Sequence, residues 1–227
     1  MIHNPIFQVI FTWLWVVLFP LLAIGVVVGI LKLDLSTVRQ WWSDHQYYQG
    51  YFEAVVAGLL PVLFVWIDKE KLAQYGLGRE GFTQSLLLSL LLVIAIYIKS
   101  FLTAGEWISH SSFNIQLNFP QNAWYAVWGI FANGPLEVFF FVWLVTKADQ
   151  ILKSEKIIIS KGFLVTVVLF SLLHVISTQN IINAINVFVI FFCFGLIYKR
   201  TQNSIGPIIG WTLINGMVWA FVELLYV

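Results

Sequence analysis

Glu137 is the residue of this chain best placed to do chemistry. It is the only carboxylate in the apolar stretch Asn122–Thr146, just after a Gly134-Pro135 break. A charge at that depth in hydrocarbon costs about 3 kcal/mol on insertion scales, so such a group is paired, neutralised or in contact with water. His174 and Asn215 lie in two further apolar stretches. A desolvated carboxylate beside an imidazole is the pair that activates a water: the carboxylate accepts the proton, and the imidazole or an amide holds the water or steadies the oxyanion that follows.

These groups have to be brought together by membrane helices. Of the 227 residues, 60% are hydrophobic and 10% charged, with mean hydropathy +0.87; soluble domains carry about 25% charged residues. Runs long enough to cross a bilayer, about 20 helical residues, recur at Pro5–Leu33, Tyr51–Ile67, Phe82–Ala104, Asn122–Thr146, Gly162–Ser177, Ile181–Tyr198 and Ile205–Val227. Spans of this length are helices, since no water satisfies the backbone in lipid. The expected fold is therefore all-α, a polytopic membrane bundle of about seven transmembrane helices, with six or eight as alternatives. Residues 1–227 read as one integral membrane domain. Asp34–Gly50, with Trp41, Trp42, Tyr47 and Tyr48, reads as an interfacial helix or an aromatic-rich loop.

Loop charge orients the bundle. Lys69, Lys71 and Arg79 follow the second span, Lys147, Lys153, Lys156 and Lys161 the fourth, and Lys199 and Arg200 the sixth. By the positive-inside bias these loops are cytoplasmic, Gly105–Gln121 is external and the N-terminus is inside. The location is taken as the plasma membrane. The first span lacks a basic leader and reads as a retained helix. Cys193 has no cysteine partner in the chain.

With a rise of about 1.5 Å per residue, Glu137, His174 and Asn215 all fall roughly 14–20 Å from the cytoplasmic edge. Asn186 shares that layer, and Asn133 lies one turn from Glu137. Each amide also reads as an interhelical hydrogen-bonding group. Glu53 and Glu223 fall near the outer ends of their spans, where solvation serves them, and read as structural. His3, His45 and His110 are terminal or in loops on different sides, which disfavours the three-ligand set of a catalytic zinc. No nucleotide, haem or flavin signature and no nucleic-acid motif is present, so no cofactor is implied.

Three segments resemble the CAAX-protease and bacteriocin-processing family, which includes the type 2 CAAX prenyl proteases. Pro135-Leu136-Glu137-Val138-Phe139-Phe140-Phe141-Val142 has the frame of its Glu-Glu-x-x-x-Arg motif with the first Glu kept. Phe170-Ser171-Leu172-Leu173-His174 matches Phe-x-x-x-His. Gly195, Thr201, Pro207, Trp211 and Asn215 follow the last region, with Trp211 where the family has His. Tyr75-Gly76-Leu77-Gly78-Arg79 resembles its Gly-Leu linker. The family-like core is about residues 122–227.

The resemblance implies an intramembrane endopeptidase in which Glu137 activates water, His174 is its partner and Asn215 stabilises the oxyanion or positions substrate. Asn133, Phe170, Asn186 and Trp211 would line the site. Its partners would be membrane lipid and a peptide or membrane-protein substrate. Val138 and Val142 replace the second Glu and the Arg together, which leaves no orphan charge. Trp211 is expected to remove a donor from the site and add bulk. The alternative is a non-catalytic relative that binds a peptide, lipid tail or membrane protein, as an immunity or scaffold protein. Water reaching Glu137 favours the first reading, and Trp211 packed on Glu137 the second. Transport has no inverted repeat to support it.

Overall fold

The computed structural model describes residues 2–30, 32, 34–45, 48–105, 117–155, 158–178, 180–215 and 217–224. The expectations for Tyr47, Lys156, His110 and most of the loop after Gly105 lie outside them, as does the side chain of Glu223. Every described element is helical. Helix α1 (Pro5–Gly29) opens with Pro5 in its first turn and the Asn4 side chain accepting from Ile6 N, a capping arrangement that satisfies an orphan N–H. Helix α2 (Leu35–Asp44) is capped by Asp34 through Thr37 N and supplies the helix expected in the aromatic segment.

Helix α3 (Gln49–Glu53) passes through a π-turn, Ala54–Gly58, into α4 (Leu59–Ile67). After a short 3₁₀ turn at Leu72–Tyr75 comes α5 (Phe82–Ala104). Helix α6 (Gln121–Phe131) passes through a second π-turn, Ala132–Leu136, into α7 (Glu137–Ile151). Then follow α8 (Lys161–Thr178), α9 (Ile181–Thr201), α10 (Ile205–Ile214) and α11 (Met217–Leu224).

Five segments are long and apolar enough to cross a membrane: Pro5–Gly29, Gln49–Ile67, Phe82–Thr103, Gln121–Ile151 and Ile181–Thr201. Lys161–Val175 and Ile205–Ile214 are shorter apolar helices. The chain is thus a polytopic helical membrane protein. The expected seventh span is not continuous, because α10 stops at Ile214 and α11 starts at Met217; the side chain of Asn215, at the break, is engaged across the bundle.

Helix α7 is the central element, buried from Val138 through Val145 and packed between α1 and α8. Apolar surfaces gain little from associating in lipid, so shape and close approach hold such a bundle. Phe141 meets Phe163, Phe170 and Phe191 edge-on, and Phe64 stacks on Trp143. Glycines admit the nearest neighbours: a Cβ at Gly195 would collide with the Phe163 ring, and one at Gly134 with the Thr212 hydroxyl.

The end of the bundle that carries Lys147 is tied by buried ion pairs. Lys147 Nζ lies 2.6 Å from Glu70 Oε1, and Lys199 Nζ 2.6 Å from Asp149 Oδ2. Lys147 and Lys199 are therefore not loop cations, as the sequence reading took them; the fourth span runs on to Ile151 because these partners make burial tolerable. Burial, and then the hydrogen bond and charge of Glu70, push the Tyr75 phenol above its ordinary range, so it stays a donor to Glu70 Oε2. The Gly76-Leu77-Gly78 linker docks on the α9–α10 turn: Ser204 N donates to Gly76 O and Asn203 Nδ2 to Gly78 O. Gly76, at φ 74°, has no room for a Cβ against Ser204 N.

The start of α1 sits at this same end. Gln8 Nε2 donates to Asp68 Oδ2 at 2.7 Å, and His3 Nδ1 lies 2.5 Å from Asp68 Oδ1. Burial pushes the Asp68 carboxyl up, but the hydrogen bonds from Gln8 and His3, with the charge of Lys147, outweigh it and hold it below its ordinary value.

Candidate active site

Glu137 is the first residue of α7, directly after the π-turn. Its backbone N–H bonds to Ala132 O and Gly134 O and passes over Asn133 O, the i−4 acceptor of a regular helix. The carbonyl of Asn133 instead accepts from Asn215 Nδ2 at 2.6 Å. Asn215 is thus a brace from the end of α10 to the turn that aims Glu137. Asn133 itself is buried, and its Nδ2 has no hydrogen-bond partner.

His174 approaches from α8. Its Nδ1 is 3.0 Å from Phe170 O, one turn back on the same helix, and its Nε2 is 3.3 Å from Glu137 Oε1. A carbonyl only accepts, so Nδ1 carries hydrogen. If the ring is neutral, Nε2 has its lone pair towards Glu137; if it is charged, the pair is an imidazolium and a carboxylate. The Phe170 ring, centred 5.0 Å from the imidazole, backs it and in turn rests on Phe191.

Trp211 completes the carboxylate's environment. Its Nε1 donates to Glu137 Oε2 at 2.6 Å, and its ring meets Phe191 edge-on at 4.9 Å. The expectation that Trp211 removes a donor is corrected here: the indole N–H is a donor, delivered to the carboxylate itself. Gly134 permits it, since α10 lies against the π-turn at Thr212, the residue after Trp211. The Glu137 and His174 side chains keep 16% and 20% of their surface accessible, so the pair is enclosed but not sealed.

Glu137 touches His174 and Trp211, His174 rests against Phe170, and Asn215 reaches the Asn133 carbonyl in the turn before Glu137. Asn186 has a different partner, since its Oδ1 accepts from Lys99 Nζ on α5 at 3.3 Å; that contact answers a lysine inside the span Phe82–Thr103. Sequence reasoning read Glu53 as a structural residue at the outer end of its span. It sits at the end of α3, within electrostatic reach of both Glu137 and His174, and its Oε2 is buried with no hydrogen-bond partner. Among the described residues no group of three His, Cys, Asp or Glu gathers in a metal-holding arrangement.

The fold and this site define a membrane-embedded helical protein with a half-buried Glu–His couple. Residues 118–217 match the family model described as Type II CAAX prenyl endopeptidase Rce1-like. The matched segment, a little under half of the chain, holds α6 through α10 and every residue of the couple's surroundings except Glu53. No curated protein and no solved structure shows significant similarity to the chain.

Proposed function

We propose that the chain is an intramembrane endopeptidase that hydrolyses a peptide bond with water activated by Glu137. The observation that carries this reading is the two-sided orientation of the couple. Trp211 fixes Oε2, the Phe170 carbonyl fixes the imidazole, and Oε1 and Nε2 are left facing each other at 3.3 Å. A water beside them gives its proton to Glu137, its oxygen attacks the scissile carbonyl carbon, and the couple passes the proton to the leaving amine. Asn215 acts as a positioning residue through Asn133 O, in place of the direct oxyanion role the family resemblance implies. Membrane lipid surrounds the bundle, and the substrate is a peptide or a membrane-protein segment. Peptide cleavage by the purified protein, read by mass spectrometry and lost on Glu137→Gln or His174→Ala, tests it.

One observation favours a second reading, a non-catalytic binding or immunity protein: Trp211 occupies the position of the resembled motif's His and engages Glu137 Oε2 through its indole N–H. The two separate by substitution, because a binding protein tolerates Glu137→Gln.

We also propose that the Lys147 end faces the cytoplasm of a plasma membrane, with the N-terminus inside, on the strength of the basic loops gathered there. Ser154 is buried, so the exposed Lys153 is the better labelling site. In a Cys193→Ser background, Lys153→Cys is expected to resist an impermeant thiol reagent added outside intact cells; rapid labelling overturns the orientation.

A further inference from the structure

Trp211 lies in the last turn of α10 and Asn215 is its C-cap, so the way this helix ends decides where both side chains meet Glu137 and its π-turn. A helix leaves its last carbonyls without intrahelical donors, and α11 resumes only at Met217. Leu213 O is one of these carbonyls. It is taken by side chains from two other helices: Tyr97 Oη, on α5, donates to it at 2.6 Å, and Trp219 Nε1, on α11, at 3.1 Å. A carbonyl has two lone pairs, which accommodate both donors. Trp219 Nε1 is also 3.0 Å from Tyr97 Oη, so its N–H is shared between the carbonyl and the phenol oxygen, and the three groups close a triangle.

The packing of α5 along α10 puts the phenol there. A Cβ on Gly206 would run into the Ser85 backbone, and one on Gly210 would lie 3.3 Å from Ser89 Cβ. Residue numbers rise together along this contact, so the helices run parallel, and Leu213, as far beyond Gly210 as Leu92 is beyond Ser89, is level with Leu92. Tyr97 stands a little over one turn further on. Helix side chains lean back towards the N-terminus and helix carbonyls point forward to the donor one turn ahead, so the phenol of α5 and the last-turn carbonyl of α10 meet head on. The Trp219 ring lies against the Tyr97 ring at 6.4 Å and 62°. Both residues fall outside the segment 118–217 that matches the family model, so the match assigns them no role.

We propose that Tyr97, together with Trp219, is a positioning residue of the active site: the pair caps α10 at Leu213 O and so holds Trp211 Nε1 on Glu137 Oε2 and Asn215 Nδ2 on Asn133 O. Trp211 and Asn215 flank the capped carbonyl on either side. Helix ends fray, and fraying of this last turn moves both donors at once, leaving the Glu137 carboxylate free to turn away from His174. The proposal rests on the peptidase reading for its effect on turnover, and on the geometry alone for its effect on the Trp211 hydrogen bond.

The test uses the full-length protein in lipid nanodiscs, isotope-labelled on tryptophan nitrogen. Tyr97→Phe removes the hydroxyl and keeps the ring; Trp219→Phe removes the other donor from a different helix, so that if one variant fails to fold the other decides. The indole N–H resonance of Trp211, identified by its loss in Trp211→Phe, reports the bond to Glu137, and thermal melting reports the fold. Each variant is expected to move that resonance towards its position in Glu137→Ala, where the acceptor is gone, and to lower kcat about 2- to 10-fold at unchanged KM, the effect of one net hydrogen bond. para-Aminophenylalanine in place of Tyr97, which keeps a donor at similar reach, is expected to restore both. An unmoved Trp211 resonance overturns the proposal; if melting temperature falls at the same time, the pair is a packing contact only. A resonance that moves while kcat of an active parent stays the same overturns the positioning role. A resonance that moves in a protein whose unsubstituted form cleaves no peptide overturns the peptidase reading and leaves the cap standing.

Discussion

Replacing Trp211 by phenylalanine isolates one atom pair of the site. The ring that packs on Phe191 is largely kept, while the N–H that holds Glu137 Oε2 at 2.6 Å is removed. A hydrogen bond to a charged group contributes about 1.5–3 kcal/mol, and Trp211 is only 8% exposed, so little solvent replaces the donor. If that bond serves to orient the carboxylate in the transition state, turnover falls about 10- to 100-fold, at 1.36 kcal/mol per tenfold. Trp211→His, which restores a donor, is expected to recover part of the loss. The assay is cleavage of quenched peptides in nanodiscs, with melting temperature measured on the same samples. Trp211→Phe at full activity and unchanged stability refutes the claim that the indole orients Glu137. Lost stability with turnover per folded molecule unchanged makes Trp211 a packing residue.

Two further expectations follow from the geometry. Gly134→Ala sets a Cβ against Thr212 and pushes α10 away from the π-turn; overpacking of this kind costs about 1–3 kcal/mol, and the displacement is expected to lower activity more than stability, read by kinetics and melting together. Asp68→Asn is expected to destabilise the protein at neutral pH. The Asp68 carboxyl is held below its ordinary value of 3.8, so its contribution is fully present above that pH and is lost as pH falls through the lower, folded-state value. The stability difference between Asp68→Asn and the parent should therefore persist at pH 5 and shrink only below about pH 4; a difference that disappears between pH 7 and 5 contradicts the assignment.

The spans were legible because a helix in lipid needs a long apolar run, and the chain has few places to interrupt one. Their ends were less so. Lys147 and Lys199 read as loop residues, since the partners that allow their burial, Glu70 and Asp149, are remote in sequence. Glu137 and His174 were found from burial cost and spacing, and the structure brings them together. Trp211 was misread because residue type alone does not say whether an indole presents its face or its N–H. Glu53 was read as structural at the outer end of its span, yet it adjoins a π-turn that shifts the helix face by about one residue and spoils any inference from a regular 3.6-residue period. Asn215 was read within a continuous seventh span, whereas it stands at the break after α10, and its amide is committed to Asn133 O, a carbonyl that only the π-turn frees.

The central claim is that Glu137 activates water beside His174. The most direct measurement is Glu137→Gln in the purified protein, with peptide cleavage and peptide binding followed on the same preparation. The substitution preserves shape and the contact with Trp211 while removing the proton acceptor. Cleavage is predicted to fall at least ~10²-fold, the contribution expected of a positioned general base, with binding and melting temperature retained. Cleavage that persists at the parent's rate contradicts the account.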